Sequence, residues 1–134
     1  MKFMKKKIML SIAFIFSLLP MLLNQYGGGK GVQEISGLIN LFNPIGIIAV
    51  LLFFIGVWIS FKNAIVNRIL SILGIIGIVI SEICQFLTWH ILTITGEVRL
   101  KNSINFAFPE FYIGLIISLI MIVAYFIIDK KVKE

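Results

Sequence analysis

The sequence predicts an all-α membrane protein, a bundle of four transmembrane helices with both termini cytoplasmic and a small cap on the outer side. Three observations lead there. Hydrophobic residues make up 60% of the 134 positions and charged residues 13%, against roughly 45–50% apolar content in soluble domains. The apolar residues gather in uncharged runs close to the ~20 residues that cross a bilayer core. The cations fall on alternate connections: Lys2, Lys5, Lys6, Lys7, Lys62, Arg68, Lys130, Lys131 and Lys133 on one side, against Lys30, Arg99 and Lys101 on the other. The positive-inside rule then places the termini and the turn at 62–68 in the cytoplasm. Residues 1–134 read as one four-span domain, multi-pass in a plasma membrane, with outer loops at 24–43 and 93–110.

The first span, about residues 8–23, follows a lysine cluster as a signal peptide does. The sequence after it, PMLLNQY, offers no small-x-small cleavage site, so an uncleaved anchor is expected, with Pro20 near its last turn. The glycine-rich YGGGKG at 26–31 lacks the Ser or Thr that a phosphate loop needs after its lysine; Gly31 stands there, and the segment reads as a flexible linker. In the following segment, 33–43, Ile35, Leu38, Ile39 and Phe42 recur at helical spacing. It reads either as an interfacial amphipathic helix or as an outward extension of the next span.

The second span, about 44–61, opens on Asn43-Pro44, an N-cap followed by a proline whose missing N–H costs nothing at the first helical position. The third, about 69–92, is charged only at Glu82 and exceeds the minimum length, so its end tilts or emerges into the interface. In the loop after it, residues 96–108 alternate in two runs around Lys101-Asn102-Ser103, which predicts a small hairpin on the outer surface. The fourth span, about 111–128, stops at Asp129-Lys130-Lys131.

Helices in lipid associate through close packing at small residues and through interhelical hydrogen bonds. The second span carries Gly46, Ala49, Phe53, Gly56 and Ser60, and the third Gly74, Gly77, Ser81, Cys84 and Thr88, both at 3-4-3-4 spacing. Gly114 and Ser118 add a small pair on the fourth. Matching stripes of this kind predict a left-handed, closely packed bundle.

Few residues suit chemistry. An intramembrane charge costs at least ~2.5 kcal/mol, so Glu82 should face the bundle, with Gln85 on the same face one turn on. Glu82 and Gln85 form the candidate polar site. They read as interhelical glue with partners such as Asn43, Ser60 or Tyr125, or as a protonatable site for a cation or proton-coupled substrate. An acid/base pair of Glu82 with His90 is the weakest reading, because residues eight apart lie ~12 Å apart along a helix. His90, next to Trp89, reads as an aromatic-belt position.

No nucleophile with a neighbouring base and no His/Asp/Glu cluster stands in the sequence, so no enzyme, metal or cofactor is expected. One cysteine, Cys84, excludes an intrachain disulfide, and cations flanking apolar runs do not make a nucleic-acid surface. The leading expectation is a non-enzymatic membrane protein of accessory, immunity or regulatory type. Its partners would be the lipid bilayer and a membrane or extracellular protein or a second copy, and Ile104, Phe106 and Phe108 form the candidate partner surface. A small proton- or cation-coupled transporter using Glu82 and a holin-like pore former are the alternatives.

Overall fold

A computed structural model describes residues 2–27, 34–90 and 99–131. The chain is mostly helical, as expected, with α1 at Lys2–Leu18, α2 at Pro44–Trp58, α3 at Ala64–Thr88, α4 at Leu100–Asn105 and α5 at Pro109–Lys131. A two-stranded antiparallel sheet joins β1 (Asn24–Tyr26) to β2 (Ile35–Ser36), and Tyr26 also bridges to Ala107. Of the linker expected at 26–31, Tyr26 instead belongs to β1 and is buried, while residues 28–31 lie outside the described residues, as do residues 96–98 of the expected hairpin and the end of the third span at 91–92.

Local chemistry sets the helix ends. Pro20 has no N–H to continue an α-helix, and α1 gives way to a 3-10 turn over Leu19–Leu22. Asn43 caps α2 as expected, its side chain accepting from the Gly46 N–H at 3.0 Å. Asn63 does the same for α3 through the Ile65 N–H at 2.9 Å, so α3 starts at Ala64 rather than at 69. In α5, Glu110 sits in the first turn and Lys130 and Lys131 in the last, each sign complementing the helix dipole.

Helices α1, α2, α3 and α5 form a closed antiparallel ring in which each packs on the next. On α5 the buried positions are Phe111, Gly114, Ser118, Met121, Tyr125 and Asp129, a stripe at coiled-coil spacing. The tightest seam joins α2 to α3. A Cβ on Gly74 would lie 2.6 Å from the Phe53 backbone nitrogen and 2.7 Å from the Ala49 carbonyl oxygen, and one on Gly56 would lie 2.5 Å from the backbone nitrogen of Ser71. The expected stripes therefore meet in their middle, where Gly74 and Gly77 lie against Ala49 and Phe53. They do not meet at their ends: Gly46 packs on Asn40 and Leu41, Ser60 and Thr88 are exposed, and Cys84 is only half-buried.

The core between the helices is apolar, with Phe14 of α1 stacked on Phe53 of α2 at a centroid distance of 3.9 Å. At one end Asp129 of α5 is paired with Lys6 of α1 and with Arg68 of α3, the latter at 3.0 Å. At the other end the sheet, α4 and the turns close over a second cluster built on Tyr26, Trp89 and Phe111.

Two expectations for the segments at 33–43 and 96–108 need correction. Residues 35–40 form strand β2 and a 3-10 turn over Gly37–Asn40, not an amphipathic α-helix, because Ser36 bonds the Leu38 N–H and turns the chain. The sequence from Leu100 to Asn105, which holds the expected hairpin turn at 101–103 and the adjoining ends of both its runs, is helical. In a run this short, Leu100 and Ile104 satisfy a helical spacing as well as an alternating one, and the bond from Ser103 to His90 settles it. Among the described residues of this loop, extended structure survives around Ala107, where Gly27 N–H donates to Phe106 O at 2.9 Å and Phe108 N–H to Gln25 O at 2.8 Å.

By length and composition, α3 and α5 can cross a bilayer; α2 is equally apolar but has 15 residues, and α1 has 17 with its lysines at the start.

Candidate functional site

The polar side chains of the half nearest the cap converge where α3 and α5 meet the sheet. Glu82 lies on the buried face of α3 next to Ser81 and is 2% exposed. Ser118 of α5 donates its hydroxyl proton to Glu82 Oε1 at 2.5 Å. The other oxygen, Oε2, is buried and has no hydrogen-bond partner among the described residues. A carboxylate offers about four acceptor positions, so a single donor leaves it under-satisfied. The partner is neither Asn43, Ser60 nor Tyr125; the sequence offered no reason to prefer Ser118, whose role depends on the angle at which α5 meets α3.

Gln85 is half-buried and makes no side-chain hydrogen bond among the described residues. The two residues of the expected site share a helix face but no partner. The structure instead joins Ser81 to the cap. Asn43 Nδ2 donates to Ser81 Oγ at 2.7 Å and to Asn40 O at 2.9 Å, and Ser81 in turn donates to Asn40 O.

A second chain of bonds runs through the cap itself. The Tyr26 hydroxyl donates to Asn40 Oδ1 at 2.7 Å, Asn40 Nδ2 to Gln25 Oε1 at 2.8 Å, and Gln25 Nε2 to Pro20 O at 3.0 Å. All three side chains are at most 1% exposed. Burial raises the Tyr26 phenol above its ordinary pKa, the Asn40 bond lowers it, and the nearby Glu82 charge raises it again. In the sequence this segment reads only as a linker beginning at Tyr26, and three strand residues carry no periodicity to read.

His90 is fully buried, not an exposed belt residue, with Nε2 3.0 Å from Ser103 Oγ. The distance is that of a nucleophile and its base. Both side chains are 0% exposed, and Trp89 and Phe106 lie against the imidazole, so the pair pins α4 to the end of α3. Among the described residues no three His, Cys, Asp or Glu side chains gather into a metal site.

The expected partner surface is divided. Ile104 is 52% exposed on α4, while Phe106 packs against Trp89 and Phe108 is half-buried beside Gly27. The outward face of α4 is formed instead by Leu100, Lys101 and Ile104. Comparison with models of protein families, with curated proteins and with solved structures finds no match in any of the three.

Proposed function

We propose that this chain is a multi-pass protein of the plasma membrane, with four spans and both termini cytoplasmic, that acts by binding another protein through its outer cap. Large apolar side chains cover the outward faces of all four ring helices, among them Phe16, Ile48, Leu73 and Ile116, each roughly half exposed. Lipid is the solvent that tolerates such a surface. Helix α2 spans ~22 Å of the ~30 Å hydrocarbon core, and Ile59 carries the chain on from its end in an extended conformation. The charge bias on the connections supports the orientation.

The observation that carries the binding role is the treatment of α4. Its inner side is fixed by Ser103 on His90, and the fixed helix presents Leu100 and Ile104, 60% and 52% exposed. A six-residue helix does not hold itself together in water, so its order comes from the cap, and the cap holds an apolar pair outward. A photo-crosslinking residue at Leu100 or Ile104 should capture one defined protein in cells, and the L100D/I104D variant should lose function while remaining inserted. Normal function in L100D/I104D would rule this role out.

A second reading is favoured by the buried Oε2 of Glu82, which is the feature a proton or cation site would show. In that case Glu82→Gln abolishes flux in proteoliposomes. Under the binding role the amide oxygen introduced by Glu82→Gln still accepts from Ser118, and function persists.

A further inference from the structure

The end of the bundle opposite the cap encloses a cavity of about 330 Å³, within the ~300–1,000 Å³ typical of small-ligand sites. Lys6 and Lys7 of α1, Arg68 of α3 and Asp129 of α5 line its polar part, and Leu10, Val57 and Phe61 line its apolar part. Three cations thus face one carboxylate. Asp129 binds Lys6 and Arg68, while Lys7 donates to Trp58 O at 3.2 Å and Ser60 Oγ at 3.4 Å, both neutral. Among the described residues two positive charges remain without a counter-charge, in a space where the Lys6, Arg68 and Asp129 side chains are 21%, 37% and 11% exposed. Partial burial weakens solvent screening, so this excess attracts an anion more strongly than the same charges on an open surface.

We propose that this cavity binds the phosphodiester headgroup of an anionic membrane lipid. Phosphate matches the donors: Arg68 uses Nη2 on Asp129 and has further N–H groups for an oxyanion, and the lysines supply point charges. The apolar wall receives the start of an acyl chain, which free phosphate lacks. The inference rests on the membrane placement proposed above, under which this end lies in the inner leaflet, where anionic lipids give a negative surface. It is independent of the outer partner.

The test uses the full-length protein in mild detergent, with phosphatidylglycerol, phosphatidylcholine and inorganic phosphate as probes, reading bound lipid by native mass spectrometry and thermal stability. Phosphatidylglycerol should bind and stabilise, and the other two should not. At ~1 kcal/mol per basic residue, Lys7→Gln with Arg68→Gln should weaken binding about 30-fold. Lys62→Gln with Lys131→Gln, at the same end but outside the cavity, should leave it unchanged. Asp129→Asn removes the competing carboxylate and should tighten lipid binding, the opposite of what damage to the fold does. Equal loss in the two double variants, equal binding of phosphatidylcholine, or full stabilisation by inorganic phosphate would each overturn the lipid site. Recovery of the chain from the soluble fraction of cells would sink the membrane placement itself, and the lipid site with it.

Discussion

Removing one oxygen from Tyr26 is the sharpest probe of the cap. Tyr26→Phe keeps the ring against Trp89 and Phe111 but leaves Asn40 Oδ1 buried without its donor. The cost should be about 1–3 kcal/mol in unfolding followed in detergent. The same residue gives the molecule a pH limit. Its phenol is raised above the ordinary value of 10.0, chiefly by burial, so the folded state holds a proton that the unfolded chain releases. Stability is therefore complete below about pH 10 and falls as pH rises beyond it. A plot of stability against pH for wild type minus Tyr26→Phe isolates that fall from the other tyrosines, and a flat difference would contradict it. At this scale the sequence was legible where partners are neighbours in the chain, as with Asn43 capping α2. Ser118 for Glu82, Asn40 for Tyr26 and Ser103 for His90 lie 36, 14 and 13 residues away, and no local pattern records such pairings.

The α2–α3 seam shows what periodicity carries well. Small residues at 3-4 spacing on two consecutive apolar runs left one good way to bring the helices together, and the structure uses it. Gly74→Ala should cost about 1–3 kcal/mol, because the added methyl meets the backbone of Phe53 and Ala49, which cannot turn aside. Gly77→Ala meets chiefly the Ala49 side chain and should cost less. Ile80→Ala, on the exposed face of the same helix, should stay within ~0.5 kcal/mol. The ranking, read from thermal unfolding of the three variants, checks the seam independently of any absolute scale. Helix α4 shows the opposite case, since six residues hold less than two turns and the alternation read from them fitted strand and helix alike. Tertiary contacts chose between the two.

For the whole molecule, composition and charge placement specify a great deal: the ring of four apolar helices follows from the length and number of the runs. The cap does not follow, because its sheet and network depend on segments that meet only after the bundle has formed. Orientation is directly measurable in a Cys84→Ala background. A membrane-impermeant maleimide should label Lys101→Cys in intact cells and Lys62→Cys only after permeabilisation. Labelling of Lys62→Cys alone in intact cells would invert the topology.

The bridge between Tyr26 and Ala107 also bears on how the chain is made. The hairpin of α2 and α3 closes over a short turn and needs nothing from the rest of the chain. Strand β1 emerges early, yet its edge partner and the ring of Phe111 that covers Tyr26 are synthesised about 80 residues later, and at ~5–20 residues per second that delay lasts several seconds. Throughout this interval the edge of β1 that faces away from β2, and the Tyr26 ring, stay uncovered. The cap is therefore completed only after residue 111 has been made, and a nascent chain arrested before α5 would present an open strand edge to whatever chaperone or protease meets it there.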